Sequence, residues 1–262
     1  MSPHNLADFE IDHDLPRDQY ETQQDALQHR LELIQAAYIA RGLKGIVAIE
    51  GWDAAGKGGL VTRMNATLDP RYCKVWPIGA PTREEAARHY LWRFWQRLPG
   101  AREIAVFDRT WYGRVLVERV DGFTPETRWR EAYKEINDFE ALLRADGVRI
   151  AKIFLHVSQA EQDRRLEERI RTPWKRWKTG AEDYHNRSKR ADYIAAYQDM
   201  FAQCSPPDAP WHVVAADDKK WARVRSLEII CDTLGAGVDL TWPEPDAELL
   251  KVAEAALGKS LR

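Results

Sequence analysis

Residues 51–59 read Gly-Trp-Asp-Ala-Ala-Gly-Lys-Gly-Gly and directly follow the apolar run Ile46-Val47-Ala48-Ile49. Glycines at this spacing let backbone N–H groups turn inward around phosphate oxygens, and a lysine at the end of the loop adds a full charge on a mobile arm. A helix starting at that lysine aims its positive end at the same anion. The pattern assigns Gly51, Ala54, Ala55, Gly56, Lys57, Gly58 and Gly59 to a phosphate-binding loop, or P-loop. It departs from the common form at one point. A Ser or Thr hydroxyl that would bind Mg²⁺ is expected after the lysine, and Gly58 stands there instead. Asp53, inside the loop, is the substitute, because a carboxylate is a hard oxygen ligand suited to Mg²⁺.

A second carboxylate belongs to the same chemistry. Ile104-Ala105-Val106-Phe107 precedes Asp108, and Arg109 follows. In P-loop enzymes a strand-end carboxylate holds the metal beside the loop. Asp108 is therefore the second expected metal ligand, the competing reading being a helix N-cap. Arg109 is expected to stabilise charge on a transferred group. Further along, Arg164, Arg165, Arg169, Arg171, Lys175, Arg176 and Lys178 form the most basic stretch, interrupted by Trp174 and Trp177. Such runs are usually solvated faces. This one falls between the fourth and fifth expected strands, where nucleotide-kinase-like folds carry a lid. A lid over about residues 165–190 is the expectation.

These residues need a scaffold that brings distant segments to one edge. Helices are expected over 18–41, from the P-loop to about Leu68, and from Thr82 to about Arg97, where Thr82 and Glu85 have capping-box spacing. Further helices are expected over 125–145, from Ser158 onward, over 191–202 and over 219–234, with a short tail helix from Pro243 to Leu257. Strands are expected at Ile46–Ile49, 72–76, before Asp108, and over 148–157 and 211–216. Strands alternating with helices mean a parallel sheet covered on both faces. The fold class is α/β, with a five-stranded parallel sheet, in one domain spanning 1–262 and preceded by a polar arm over 1–17. The aromatics of the 82–97 helix, Trp92 and Phe94 among them, are expected mainly as core.

With 262 residues, 44% hydrophobic and 31% charged, the chain can bury a sizeable core. A formal net charge of −2 argues against nucleic acid or a membrane as the general partner, so any polyanion must meet a local basic patch. No apolar run approaches the ~20 residues that cross a bilayer, and the acidic start lacks the apolar core of a secretory signal. Cys73, Cys204 and Cys231 have no metal-type spacing, which suits a reducing cytoplasm.

Taken together, GWDAAGKGG, APTREE, YLWRFWQRLPG, FDRTWYGRVLVERV, TPWKRWK and DAPWHVVAADDKKWAR resemble the family-2 polyphosphate kinases over roughly residues 20–235. The resemblance implies a P-loop kinase fold with a basic helical lid. It also implies Mg²⁺-dependent, reversible transfer between inorganic polyphosphate and a nucleotide, usually by a homo-oligomer (dimer or tetramer). It gives Asp53, Lys57, Asp108 and Arg109 as the family's functional positions, and Arg169, four residues before Pro173, as the lid arginine. Lys175 and Lys178 match other basic lid positions, and Arg165 is placed with them as a polyphosphate contact. Many relatives have Asn where Gly113 stands; the form YGRVLVERV resembles the polyphosphate:AMP phosphotransferase branch, which often fuses two such domains where this chain has one. AMP to ADP is the expected reaction, with ADP to ATP open as a second, and the acceptor's base is expected between the P-loop and the helix starting at Thr82, near Arg83 and Arg88. Two rival readings are an ATP-dependent nucleoside monophosphate kinase and a nucleotide- or polyphosphate-binding protein without catalysis. The basic excess in the lid weighs against the first, and the paired carboxylates against the second.

Overall fold

Ile46–Ile49 are fully buried and form the middle of β1 (Lys44–Gly51). A strand enclosed on both faces reads as a continuous β-branched run, and β1 is the central strand. The structure, a computed structural model, describes residues 5–242 and 245–261. Among these, β2 (Cys73–Pro77), β3 (Ile104–Asp108), β4 (Val148–His156) and β5 (Trp211–Ala215) complete a five-stranded sheet of order β2-β3-β1-β4-β5. All four pairings are parallel. The register sets Ile49 beside Asp108 and Gly51 beside Leu155, so β3 stops level with Ile49 while β1 runs on alongside β4 to its last residue. Because β1 leads to the far edge at β2 and the chain later crosses to β4, a crevice opens above the carboxyl ends of β1 and β3. Open α/β sheets bind ligands at such switch points.

In chain order the helices are α1 (Arg17–Arg41), α2 (Lys57–Asn65), the single turns α3 (Arg83–Ala86), α4 (Trp92–Trp95) and α5 (Val117–Val120), and α6 (Glu126–Ala145). They continue with α7 (Gln159–Arg171), α8 (Ala181–Ser188), α9 (Arg190–Gln203), α10 (Lys219–Gly235) and α11 (Ala247–Leu257). Helices cover both faces of the sheet: α1, α2 and α10 pack together, and α6 lies against β4. The lid region is α7, a 3₁₀ segment over Pro173–Lys178, and α8. No helix among the described residues is long and apolar enough to cross a membrane.

Three expectations need adjustment. The helix expected over 82–97 is broken into α3 and α4. Its capping box is present, with Thr82 Oγ1 accepting from Glu85 N–H at 3.2 Å and Glu85 Oε2 accepting from Thr82 N–H at 2.9 Å. The break follows because His89 Nδ1 takes the Leu91 N–H at 3.3 Å, a local side-chain bond that competes with the helical ladder. The P-loop helix stops at Asn65, short of Leu68. The tail helix begins at Ala247, and the expected start at Pro243 lies outside the described residues. The arm is docked where it is described: Leu6 and Leu15 are buried, His13 stacks on Trp221 at 4.1 Å, and Leu15 N–H donates to Asp218 at 2.8 Å.

The segment after Asp108 is tied into the core by one buried polar cluster. Glu140 of α6 accepts from Trp111 Nε1 at 3.0 Å and from the Tyr112 hydroxyl at 2.7 Å. Lys152 of β4 donates to Glu140 at 2.8 Å, to Tyr112 at 3.1 Å and to the Cys204 carbonyl at 2.8 Å. Both ions are fully enclosed. The Trp-Tyr pair thus fixes where the chain goes once it has presented Asp108 and Arg109. Breaking a buried ion pair from one side strands a charge. Lys152→Met is therefore expected to cost about 3–5 kcal/mol in urea unfolding. Adding Glu140→Gln removes the stranded charge while keeping an acceptor for Trp111 and Tyr112, and should recover part of that loss.

Candidate active site

The turn out of β1 requires glycine at two places. Gly51 has φ 143°, and a Cβ there would sit 2.4 Å from the Leu155 carbonyl oxygen. Gly56, with φ 116°, is the N-cap of α2. Lys57 reaches back across the loop and donates to the carbonyls of Gly51 at 2.7 Å and Trp52 at 3.0 Å. Gly58 and Gly59 form the first turn of α2, with Gly59 N–H bonded to Gly56 O at 2.9 Å. The loop is held from behind by Arg165 of α7. Its guanidinium donates to Ala54 O and Ala55 O at 3.0 and 3.1 Å, to Ala216 O and Asp217 O at 2.7 and 2.8 Å, and through Nε to Glu161 at 2.7 Å. Those contacts spend all five N–H groups of an arginine. A trans peptide puts its N–H opposite its carbonyl, so drawing the Ala55 carbonyl toward Arg165 turns the Gly56 N–H to the other side.

Arg165 was expected as a polyphosphate contact in the lid, and the structure corrects this. The residue is 3% exposed and every donor goes to the protein. It shapes the phosphate loop instead. Glu161 has capping-box spacing from Ser158, but its carboxylate does not return to the helix cap. Ser158 caps α7 by accepting Glu161 N–H at 3.3 Å, while the Glu161 carboxylate pairs with Arg164 and Arg165.

Asp53 and Arg109 come together at the cleft floor, with Arg109 Nη2 donating to Asp53 Oδ1 at 3.1 Å. Arg109 has φ 66°, a backbone region costly for a residue with a side chain. Its own N–H holds Ile49 O at 3.0 Å, and the next residue is clamped by Glu50. Glu50 Oε1 accepts from both the N–H and the hydroxyl of Thr110 at 2.7 Å. Burial raises the Glu50 carboxyl above its ordinary value, against the pull of Thr110, Lys57 and Arg109. At Asp53 the balance is reversed: burial works against the charge, but Lys57, Arg109 and Asn186 outweigh it and hold the carboxyl low. Asp53 is thus a carboxylate at neutral pH. Asp108 ends β3 opposite Ile49, its carbonyl accepting Ile78 N–H at 2.9 Å, and Thr110 rather than Asp108 caps the following 3₁₀ turn.

Above this floor lies a cleft of about 720 Å³, lined by Asp53, Arg109 and Glu50 below and by Arg88, Tyr90, Arg93 and Phe94 along the α3–α4 wall. Arg88 faces the cleft, whereas Trp92 stacks beneath Arg88 at 4.4 Å and Arg83 is not part of the lining. Of the basic lid residues, Arg169 donates to Lys178 O at 3.0 Å, Lys175 pairs with Glu168 at 2.5 Å, and Lys178 lies 5.1 Å from the Trp177 ring. All three are tied within the lid. Trp174 and Trp177 are about three-quarters exposed, at 75% and 79%.

Sequence reasoning missed Glu50, Gln162, Asn186 and Arg190. Gln162 Nε2 donates to the Asp53 carbonyl at 3.0 Å, and Asn186 Nδ2 to Asp53 Oδ2 at 2.9 Å. Arg190 lies 4.1 Å from the Trp52 ring and donates to Gln162 Oε1 at 2.7 Å. Only Glu50 left a trace, as an acid directly after the apolar run Ile46–Ile49. No group of three or more His, Cys, Asp or Glu capable of holding a metal occurs among the described residues. The donor set that is present, carboxylates beside a phosphate loop, suits a hard divalent cation that takes one or two carboxylates and fills its shell with phosphates and water.

Comparison with known proteins agrees with this geometry. The family profile described as Polyphosphate kinase 2 matches residues 14–238. A polyphosphate:AMP phosphotransferase of Pseudomonas syringae pv. tomato is 48% identical over 189 residues, covering 72% of this chain and 38% of that protein. One of the same description from Pseudomonas aeruginosa is 43% identical over 231 residues, covering 88% of this chain and 47% of its own. The chain spans less than half the length of these two relatives. The crystal structure of polyphosphate kinase 2 from Arthrobacter aurescens TC1 superposes with a TM-score of 0.87 at 32% identity, covering 98% of this chain and 93% of that one.

The Glu161–Arg165 pair gives a pH test. Burial opposes the Glu161 charge, but its bonds to Arg164 and Arg165 win and hold the carboxyl down at about 2, against an ordinary 4.5. A carboxyl lowered by folding stabilises the fold above its unfolded value and loses that contribution as pH falls through the folded value. The Tm difference between wild type and Glu161→Gln should stay constant above pH 4.5 and shrink between 4.5 and about 2. Thermal unfolding monitored by circular dichroism across that range checks it.

Proposed function

The chain belongs to the polyphosphate kinase 2 family, and from that premise we propose that it transfers phosphoryl groups between inorganic polyphosphate and a nucleotide, with AMP to ADP as the favoured reaction. The observation that carries this is the Asp53–Arg109 pair beside Lys57, set at the mouth of the phosphate loop under a cleft large enough for a nucleotide.

Phosphoryl transfer asks little covalent chemistry of a protein; it asks for in-line positioning and cancellation of charge. Lys57, whose ammonium already bridges two loop carbonyls, would exchange those contacts for phosphate oxygens, with the first-turn amides of α2 beside it. Arg109 is held over Asp53 by strained backbone that Glu50 and Ile49 keep in place, so it is poised before substrate arrives. Arg169 from the lid would add a second cation on the transferred group, and Lys175 and Lys178 would line the polyphosphate chain. Asp53 and Asp108 would hold Mg²⁺, which would supply positive charge to offset that of the phosphates. The acceptor's base would lie against Arg88, Tyr90 and Phe94, since a monophosphate brings its base one phosphate closer to Asp53 than a diphosphate does. The relatives named as AMP phosphotransferases support that acceptor. A homo-oligomer, dimer or tetramer, in the cytoplasm completes the reading; the three buried free thiols suit that compartment.

Initial rates with AMP or ADP, excess polyphosphate, Mg²⁺ and no ATP test it. AMP should be the faster acceptor. Lys57→Ala and Asp108→Asn, checked for folding by circular dichroism, should each lose about 3 kcal/mol of transition-state stabilisation, or roughly a hundredfold in rate. A folded Lys57→Ala protein that turns over like wild type would sink the assignment. ADP reacting while AMP does not would overturn only the acceptor.

A further inference from the structure

Asp53 is held at three of its atoms, and two of those contacts come from the lid side. Arg109 takes Oδ1, Asn186 of α8 takes Oδ2 at 2.9 Å, and Gln162 of α7 takes the backbone carbonyl at 3.0 Å. We propose that Asn186 is a positioning residue for the proposed transfer, orienting the Asp53 carboxylate toward the cation and coupling that orientation to the seating of the lid. The inference rests on the function proposed above.

The chemistry fixes which way the amide faces. A carboxylate only accepts hydrogen bonds, so the NH₂ end of Asn186 must point at Asp53. That leaves Asn186 Oδ1 toward Tyr193, whose hydroxyl donates to it at 3.2 Å. Burial raises the Tyr193 phenol above its ordinary value, so it remains a donor. The carboxylate is then gripped at both oxygens, each of which keeps a lone pair for a cation. A neutral amide suits this position. It orients Asp53 without adding positive charge where Mg²⁺ must bind, and Arg109 already supplies one cation there.

The same contact links the lid to the loop. Helix α8 is fastened by Arg187 to Asp163 of α7 at 2.6 and 2.7 Å, and by His185 to Asp121 at 3.0 Å. Lys189, which follows the helix, also bonds Asp121, at 2.7 Å. Gln162 passes the constraint to Arg190, which lies over the Trp52 ring. With α8 seated by these pairs, Asn186 reaches Asp53; with α8 displaced, that bond is lost. The orientation of the loop carboxylate and the position of the lid are therefore one event.

The test uses Asn186→Ala and Tyr193→Phe in the full chain. Residues that orient a metal ligand typically change metal affinity or activity by about 10–100-fold when removed. For Asn186→Ala, kcat should fall within that range, KM for AMP and for polyphosphate should stay as in wild type, and more Mg²⁺ should be needed for half-maximal rate. Independently of turnover, titration with Mn²⁺ followed by the EPR signal of the free ion should show weaker binding in Asn186→Ala, with Asp53→Asn as the control. Tyr193→Phe removes one hydroxyl and keeps the ring, so it should fold and shift Mn²⁺ binding in the same direction by less. A folded Asn186→Ala protein with wild-type Mn²⁺ affinity and kcat overturns the proposal, as does a change in Tm alone. Wild type inactive with polyphosphate would overturn the functional reading, and the Mn²⁺ titration would still decide the role of Asn186.

Discussion

The parallel register of β1 and β3, which sets the end of β3 beside Ile49, is the constraint on which this site depends. Because Ile49 of β1 lies beside Asp108 of β3, the chain leaving each strand arrives at the same point above the sheet. From β1 comes the phosphate loop with Asp53 and Lys57; from β3 come Asp108 and Arg109. Glu50 and Ile49 then tie the two exits together through Thr110 and the Arg109 amide. A slip of one residue in this register would turn alternate side chains to the opposite face of the sheet. The depth of β1 guards against that: its side chains are buried on both faces, and Gly51 passes too close to Leu155 to admit a side chain. The Trp111–Tyr112–Glu140–Lys152 cluster holds the other end, so the Arg109 backbone stays strained because its surroundings leave it no alternative.

Electrostatics at the floor is a contest that side-chain identity decides. Asp53 and Glu50 both sit near Lys57 and Arg109, and both are buried, yet their carboxyls are displaced in opposite directions. For Glu50 burial dominates. For Asp53 the direct bonds from Arg109 and Asn186 add to the nearby cations, and the charged form prevails. Two acids three residues apart thus divide the work. Glu50 braces the strand ends, and Asp53 offers a stable negative charge to the cleft, as a ligand for a hard cation requires.

How much of this was readable in the amino-acid order depends on the range of each constraint. Gly51, Gly56 and Lys57 were legible because a tight phosphate loop restricts residue type at fixed spacing. The Thr82–Glu85 box was legible because capping acts over three residues. The alternation of strands and helices gave the sheet, since periodicity survives without knowledge of neighbours. Asn186 and Gln162 were not legible. Their meaning is a distance to Asp53 across more than a hundred positions of chain, and neither lies in a recognisable spacing. Arg165 was misread for a related reason: a charge run shows where cations are dense and says nothing of where each one points. Its side chain enters the protein, while its neighbour Arg164 stays at the surface with Glu161.

The replacement of a loop hydroxyl by Gly58 then has a structural consequence. A Ser or Thr after the loop lysine is part of α2, held by the helix itself, and needs no outside help to face a metal. Asp53 lies instead at the crest of the loop, on backbone that continues through Ala54 at φ 64°. A carboxylate there can turn about its side-chain bonds, so its aim has to come from other segments. The structure supplies that aim from the end of β3 through Arg109 and from the lid through Asn186, while Gln162 holds the Asp53 backbone carbonyl. If Asp53 serves as the proposed metal ligand, moving the ligand out of the helix ties it to the lid, which a helix-borne hydroxyl would not require. The buried Arg165 completes the same logic from beneath. It fixes the carbonyls of Ala54 and Ala55, so the loop that carries Asp53 is held from one side while the carboxylate is held by Arg109 and Asn186.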